Sequence, residues 1–152
     1  MKDIKLCLVC SSGGHFQQLY SLKSFWSKYD RLWVTFCRED TNYLLRDEKK
    51  YFAYFPTNRN VLNLIRNFFL AIKIIKKNRP DFIISTGAGI CVPFFYAGKL
   101  LGAKVIYIES LTRISQLSLS GKLIYPISNY FLVQWPELSK KYKKATFKGR
   151  LI

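Results

Sequence analysis

One segment of this chain carries residue types suited to binding a phosphate group. A Ser-Ser-Gly-Gly sequence at residues 11–14 follows an apolar run at residues 4–10. Because glycine has no Cβ, the backbone can turn sharply there and approach a ligand closely. The helix expected to start near His15 would direct unpaired N–H groups toward an anion. We therefore expect this turn to accept a phosphate.

Two side chains at predicted loops are candidates for acid–base chemistry. His15 is the only histidine of the chain, and at a helix start it could donate to a phosphate or act as a general base. A capping or packing role is its structural alternative. Glu109 directly follows the apolar residues 105–108, and a carboxylate at such a strand end could act as a base or bind a hydroxyl. Its structural alternative is to cap a nearby helix N-terminus.

Common cofactor and metal motifs do not fit this sequence. The glycine turn lacks the spacing of the dinucleotide-binding fingerprint and the Gly-Lys-Ser/Thr of a P-loop, which weakens NAD and ATP as ligands. Strand alternation would point Cys7 and Cys10 to opposite faces of a sheet. Because no second cysteine pair follows, we expect neither a zinc site nor a disulfide, and we predict no metal and no cofactor.

The candidate residues need a scaffold that brings distant loops together. Apolar runs predict strands at residues 4–10, 32–36, 51–55, 82–85, 104–108 and 130–134. Helical patterns lie between them, including one after Pro136 that this proline could start. Such alternation predicts an α/β fold with a single doubly wound, mostly parallel sheet. Ligands of this fold collect beyond the carboxyl ends of the strands, where residues 11–15, 86–89 and 109–113 would lie.

Length and composition restrict the class of protein. The 152 residues fit one core, so we predict a single domain over residues 1–152. Hydrophobic residues make up 49% of the chain and aromatic residues 16%, which excludes a disordered or collagen-like polypeptide. The net charge is +16, and residues 58–152 hold 16 basic but only 3 acidic side chains. The later part of the chain is therefore expected to face an anionic partner.

Much of this charge belongs to a predicted amphipathic helix at residues 60–77. Its apolar face is expected to contain Val61, Leu64, Ile65, Phe68, Ile72 and Ile75. Basic residues near an anionic bilayer contribute about 1 kcal/mol each, so this helix could lie flat on a membrane surface. An ordinary sheet-packing helix with solvated lysines is the structural alternative. A nucleic-acid binder would also explain the charge, but no recognisable reading helix or aromatic strand pattern supports it.

Neither a membrane span nor a secretory signal is expected. A span needs about 18 apolar residues, whereas the longest candidate, residues 90–101, contains Pro93, Gly98 and Lys99. The first ten residues lack the apolar region and cleavage site of a secretory signal. We predict a cytoplasmic protein.

Four motifs in the same order resemble those of a known family over essentially the whole chain. They are LVCSSGGH at residues 8–15, FPTNRN at 55–60, ISTGAG at 84–89 and YIES at 107–110. The sequence is similar to the bacterial capsular and exopolysaccharide relatives of the membrane-anchoring subunit of the dolichol-linked GlcNAc transferase. Those proteins resemble the N-terminal, acceptor-binding half of a two-domain GT-B glycosyltransferase.

This resemblance implies half of an enzyme, with a Rossmann-like fold. A separate donor-binding subunit would bind the UDP-sugar, and the heterodimer would transfer the sugar to a polyprenyl-diphosphate-linked acceptor in capsular or exopolysaccharide synthesis. The basic helix, rather than the resemblance, leads us to expect a peripheral protein on the inner face of the cell membrane that contacts anionic lipid and no nucleic acid. The alternative is a non-catalytic membrane scaffold that activates a separate, complete transferase.

The resemblance also implies roles for particular residues. His15 and Glu109 would be catalytic, with Glu109 positioning or deprotonating the acceptor hydroxyl. The acceptor- and phosphate-binding residues would be Ser11, Ser12, Gly13, Gly14, Thr86, Gly87 and Gly89. Apart from the resemblance, the charge of the predicted helix at residues 60–77 and its flank makes Arg59, Arg66, Lys73, Lys76 and Lys77 the expected membrane-surface residues.

Overall fold

A computed structural model describes residues 3–151, so Met1, Lys2 and Ile152 of the predicted domain lie outside it. The strands within that range are β1 (Lys5–Val9), β2 (Asp30–Thr35), β3 (Lys50–Phe52), β4 (Phe82–Ser85), β5 (Lys104–Ile108), β6 (Tyr130–Val133) and β7 (Ala145–Phe147). The helices are α1 (Gly14–Tyr20), α2 (Lys23–Trp26), α3 (Glu39–Leu44), α4 (Val61–Asn78), α5 (Cys91–Leu100), α6 (Leu119–Ile124) and α7 (Pro136–Lys141).

The described strands form one seven-stranded sheet in the order β3-β2-β1-β4-β5-β6-β7. Each neighbouring pair is parallel, which confirms the predicted doubly wound α/β fold. The strand order reverses between β1 and β4, and the helices that follow them, α1 and α5, pack on opposite faces of the sheet. Such a switch point opens a crevice at the carboxyl ends of the strands.

Each face of the sheet carries its own hydrophobic core, which is why the strands are apolar almost throughout. On one face, Cys7 and Val9 of β1 pack with residues of α4, α5, α6 and α7. On the other, Leu6, Leu8 and Cys10 pack with residues of α1 and α2. The Cys7 and Cys10 thiols therefore lie on opposite faces, as strand alternation predicts.

Burial sets the chemistry of most cysteines. Cys7, Cys10 and Cys91 are fully buried, and burial raises the pKa of each far above its ordinary value of 9.0, because the thiolate loses its hydration. We refer to this group as the three buried thiols. Cys37, by contrast, is exposed.

Helix α4 presents a different face to the core than its apolar pattern predicts. Asn63 and Asn67 are buried, whereas Val61 and Ile65, expected on the inner face, are 68% and 50% exposed. The inward asparagines bond the preceding loop: Asn63 Nδ2 donates to the Pro56 carbonyl at 2.8 Å. These hydrogen bonds fix the rotation of the helix and leave apolar side chains in solvent.

Asn67 completes this link between α4 and the loop at residues 54–60. Its Oδ1 accepts from the Tyr54 N–H at 2.9 Å, and its Nδ2 donates to the Tyr54 carbonyl at 3.0 Å. The helix N-terminus is capped by Asn60, whose side chain accepts from the Asn63 N–H at 2.9 Å, so an orphan backbone donor is satisfied. The loop is thereby held rigidly beside the carboxyl end of the sheet.

The remaining differences from prediction lie at element ends and in one strand that was not predicted. Pro136 is the first residue of α7, as predicted, but α7 ends at Lys141 and a short parallel strand, β7, follows it. In the part of the chain that the structure covers, no helix has the length and apolar character that crossing a bilayer requires.

Candidate functional site

A cleft of about 640 Å³ lies at the carboxyl ends of β1, β4 and β5. The loops that follow these strands form its walls together with the loop at residues 54–60. The polar side chains lining it are Ser11, Ser12, His15, Thr57, Asn58, Arg59, Ser110, Thr112, Arg113, Ser118 and Ser120. The apolar ones are Phe36, Phe55, Pro56, Leu64, Ala88, Val92, Leu119 and Leu123. The cleft is thus amphipathic, and its described lining contains no carboxylate.

His15 reaches the cleft from the first turn of α1 in a defined orientation. Its Nδ1 lies 2.8 Å from the Thr86 carbonyl, and the Thr86 hydroxyl donates to the His15 carbonyl at 2.6 Å. Because a carbonyl only accepts, Nδ1 must carry the hydrogen. In the neutral ring, Nε2 is then the proton acceptor. This tautomer suits a general base that faces a hydroxyl group.

The loop after β4 packs against the imidazole of His15. Gly87 has a φ of +116°, and a Cβ there would lie 3.0 Å from His15 Cε1 and 3.1 Å from the Tyr107 hydroxyl. The positive φ therefore favours glycine, and a Cβ there would also crowd the imidazole and the hydroxyl. Gly89 lines the cleft, and its own close neighbour is the Thr57 hydroxyl, 3.2 Å from an added Cβ.

The predicted phosphate-binding residues consequently fall into two groups. Ser11, Ser12 and Gly89 line the cleft. Thr86 and Gly87 are buried under His15, and the exposed glycines at positions 13 and 14 stand at the start of α1 outside the lining. The role of all these residues in binding phosphate stays a prediction, whereas the contacts of Thr86 and Gly87 with His15 show that these two position its ring.

The structure does not bring the carboxylate of Glu109 into the cleft. The side chain is fully buried beneath the loop at residues 110–118. Its Oε1 accepts from the Ser110 N–H at 2.9 Å and the Tyr107 hydroxyl at 3.3 Å. Its Oε2 accepts from the N–H and hydroxyl of Ser118 at 2.9 and 3.0 Å. Glu109 therefore holds both ends of this loop by hydrogen bonds. This role is similar to the structural alternative stated above, in which Glu109 caps a helix N-terminus.

The surroundings of Glu109 are built to hold it there. A Cβ on Gly121, in the first turn of α6, would overlap Glu109 Oε2, so only glycine leaves room for the carboxylate. Ser118 caps the same helix by accepting from the Gly121 N–H at 2.9 Å. Burial, aided by Cys91 and Glu109 nearby, raises the pKa of Tyr107 well above its ordinary value, so the hydroxyl stays a donor.

A glutamine pair connects this loop to the C-terminal segment. Gln134 Nε2 donates to Gln18 Oε1 at 2.7 Å and to the Glu109 carbonyl at 3.0 Å. Gln18 Oε1 also accepts from the Leu111 N–H at 3.3 Å, and Gln134 Oε1 accepts from the Leu151 N–H at 2.7 Å. Helix α1, the loop after β5 and the end of the described chain thus share one hydrogen-bond network.

Sequence patterns assigned no binding role to several residues of the cleft. Thr57, Asn58 and the α6 leucines line it. Thr112 and Arg113 also line it, within the segment 109–113 that was predicted at the carboxyl ends of the strands. The FPTNRN motif marked the first of these loops, but only the inward asparagines of α4 show why it turns toward the site. Arg59, predicted as a membrane-surface residue, is found in the cleft as well.

The other predicted membrane-surface residues stay on the outside of α4. Arg66, Lys73, Lys76 and Lys77 are exposed. Between them the same helix exposes apolar side chains, including Leu62 at 59% and Phe69 at 67%. This arrangement suits a surface that is both cationic and apolar. Among residues 3–151, no group of three or more potential metal ligands occurs.

Sequence comparison finds relatives among subunits of a UDP-N-acetylglucosamine transferase. A family described as "Oligosaccharide biosynthesis protein Alg14 like" matches residues 54–151. UDP-N-acetylglucosamine transferase subunit ALG14 of Homo sapiens is 36% identical over 98 residues, covering 60% of this chain and 45% of the human protein. The subunit of that name from Candida albicans is 31% identical over 175 residues, covering 100% of this chain and 80% of that protein.

Structural comparison agrees with the predicted α/β fold. The crystal structure of MurG from Acinetobacter baumannii matches with a TM-score of 0.75 and 16% identity, covering 88% of this chain and 42% of MurG. At this identity the likeness shows the fold alone.

The chain spans about half the length of the first sequence relatives it matches. These relatives are eukaryotic, so the predicted capsular and exopolysaccharide setting has no support among them.

Proposed function

Because this chain belongs to the Alg14 family, we propose that it is the acceptor-binding subunit of a two-chain glycosyltransferase. A separate donor-binding subunit brings the UDP-sugar, and the product is a sugar transferred to a polyprenyl-diphosphate-linked acceptor. Relatives named as subunits of a UDP-N-acetylglucosamine transferase support the donor class and the need for a partner.

The observation that carries the proposal is the amphipathic lining of the cleft. A lipid-linked acceptor has an anionic diphosphate, a polar sugar and an apolar chain. Serines, His15 and two arginines offer donors to the first two parts, while Leu64, Val92 and Leu119 line the apolar side. A nucleotide-sugar alone has no apolar chain to occupy such a wall, so the acceptor fits better than the donor.

The chemistry assigned to this chain is removal of one proton. The acceptor hydroxyl attacks the anomeric carbon of the donor sugar, forming the new glycosidic bond, and the UDP leaves with the electrons of the broken C–O bond. His15 Nε2 accepts the hydroxyl proton, since Nδ1 already donates to the Thr86 carbonyl. The donor-binding subunit supplies the contacts that stabilise the charge on the leaving diphosphate.

We further propose that the outer face of α4 holds the protein on the membrane as a peripheral subunit. Three lysines at positions 73, 76 and 77 would contribute about 1 kcal/mol each near anionic lipid. Leu62 and Phe69 would enter the interface. The cytoplasmic face and the capsular or exopolysaccharide setting stay predictions from the sequence.

A transfer assay tests this function. The purified chain, alone and together with a donor-binding subunit, is supplied with labelled UDP-N-acetylglucosamine and a short-chain polyprenyl-diphosphate sugar. We expect transfer only with both chains present, and we expect His15→Ala to lower kcat at least 100-fold, within the range for general-base loss. Gln17→Ala, an exposed neighbour on α1, is the matched control. Full-rate transfer by the chain alone would refute the subunit assignment.

A non-catalytic scaffold is the second candidate, favoured by the absence of Glu109 from the cleft lining. It predicts that His15→Ala leaves turnover intact. Charge reversal at Lys73, Lys76 and Lys77 would then abolish activity only by releasing the complex from vesicles. A kcat loss in His15→Ala measured in detergent, where membrane recruitment is irrelevant, excludes this candidate.

A further inference from the structure

We infer that Arg59 and Arg113 form the pair that binds the diphosphate of the acceptor. This inference rests on the proposed acceptor site and adds the residues that recognise its charge. The two arginines come from different loops, one before α4 and one after β5, and both line the same cleft. The diphosphate would lie between them, with Ser11 and Ser12 on the adjoining wall.

The electrostatics of the cleft favour this assignment. The lining side chains within the described range include no aspartate or glutamate, and neither guanidinium has an ion-pair partner among residues 3–151. By contrast, Arg31 pairs with Glu48 at 2.7 Å, and Lys5 pairs with Asp30 at 3.1 Å. A guanidinium carries a permanent charge and can donate to two phosphate oxygens at once. Two unpaired guanidinium groups thus match a ligand with two linked phosphates.

The position of Arg59 is fixed by the fold. Its backbone has a φ of +52°, directly before the Asn60 cap of α4. The loop that carries it is held by the bonds from Asn63 to Pro56 and from Asn67 to Tyr54. Arg59 therefore belongs to a loop that hydrogen bonds hold at the cleft. It is separate from the exposed lysines of α4 at positions 73, 76 and 77.

The position of Arg113 depends on the loop that Glu109 fastens. The Arg113 N–H donates to the Ser110 carbonyl at 3.0 Å, and Ser110 in turn donates its N–H to Glu109. The buried carboxylate thus acts through the loop to place a cationic side chain. Residues 109–113 contribute to the site as one unit, in which Arg113 contacts the ligand and Glu109 positions it.

The chain offers a matched control for Arg59. Arg79, at the other end of α4, has a φ of +48° and is exposed. It lies near the amino ends of the strands, opposite to the cleft. Arg59→Gln and Arg79→Gln therefore remove the same charge from the same backbone conformation. Any difference between them reflects location alone.

The test is calorimetric binding of farnesyl diphosphate, a soluble polyprenyl diphosphate, with inorganic pyrophosphate as a second probe. We expect Arg59→Gln and Arg113→Gln each to raise Kd about tenfold or more, or ~1.4 kcal/mol per tenfold, for both probes. Arg113→Lys should recover part of the loss, because charge remains but the two-pronged geometry does not. Arg79→Gln should bind within twofold of the unchanged chain. Thermal unfolding of each variant reports whether it is folded.

Three outcomes would overturn the inference, and the first two leave the proposed function standing. If the unchanged chain binds farnesyl diphosphate and the Arg59 and Arg113 variants bind as tightly as Arg79→Gln, the pair is wrong while the acceptor site stands. If the Arg59 variant instead loses binding to anionic phosphatidylserine vesicles with its farnesyl diphosphate affinity intact, Arg59 is a membrane residue. If the unchanged chain does not bind farnesyl diphosphate, both proposals fail.

Discussion

Replacing Glu109 by glutamine tests whether its carboxylate is structural. The two carboxylate oxygens accept four hydrogen bonds, from Tyr107, from Ser110 and twice from Ser118. A glutamine amide has one acceptor oxygen, so in either orientation its NH₂ group faces a backbone N–H of Ser110 or Ser118. The hydroxyls can rotate to accept from the amide, but a backbone N–H cannot.

The expected cost follows from this count. One buried N–H without an acceptor costs about 1–3 kcal/mol, and the bonds that remain lose the strength that a charged acceptor gives them. We therefore expect Glu109→Gln to lower the free energy of unfolding by about 2–4 kcal/mol. This is a large share of the total stability of a domain, typically about 5–15 kcal/mol.

Urea unfolding followed by tryptophan fluorescence measures this change. The matched control is Glu137→Gln at the exposed start of α7, where loss of a helix-dipole interaction should cost less than about 1 kcal/mol. In the transfer assay, Glu109→Gln should raise the KM for the acceptor, because the loop carrying Arg113 is displaced. Unchanged stability combined with abolished turnover would refute the structural role and make Glu109 a catalytic group.

Two further predictions concern the packing around the site and in the core. Gly87→Ala should destabilise the protein by about 2–4 kcal/mol, because backbone strain adds to crowding against the His15 ring. Gly102 also has a positive φ but open space around it, so Gly102→Ala should cost less. Equal costs in urea unfolding would contradict this. Stability should change little from pH 7 to 8 and fall increasingly as the pH passes 9.0, the ordinary thiol pKa, because the unfolded chain then releases protons that the three buried thiols retain. At a pH where all three thiols are ionised in the unfolded chain and protonated in the folded one, the free energy of unfolding should fall by about 4 kcal/mol per pH unit. A flat profile to pH 10.5 would show that the thiols ionise in the folded state.

Much of the fold was predictable because the strands are buried on both faces. Phe82–Ser85 and Lys104–Ile108 form strands with the predicted bounds, since continuous apolar runs end at glycine or polar residues there. Strand β7 was missed because three residues after a lysine-rich helix carry no detectable alternation. It forms through pairing with β6, a contact that local sequence does not encode.

The site was predictable in position but less so in roles. The glycine turn and His15 lie at the predicted sheet edge, because strand ends and loop positions follow from the alternation of elements. The hydrogen bonds of Glu109 could not be predicted from the sequence, since they depend on how the loop at residues 110–118 folds back and brings Ser118 to the carboxylate. The spacing of apolar residues likewise predicts that α4 is a helix. It does not show that Asn63 and Asn67 form hydrogen bonds with Pro56 and Tyr54, which determine the face that α4 buries.

The most direct test of the central claim is to measure which of the two substrates this chain binds by itself. Calorimetry of the purified chain compares a farnesyl-diphosphate-linked N-acetylglucosamine with UDP-N-acetylglucosamine. We predict saturable binding of the lipid-linked sugar, weakened by Ser12→Trp in the cleft, and no measurable binding of the nucleotide-sugar without the partner. Tight binding of UDP-N-acetylglucosamine by the isolated chain, with none for the lipid-linked sugar, would contradict the account.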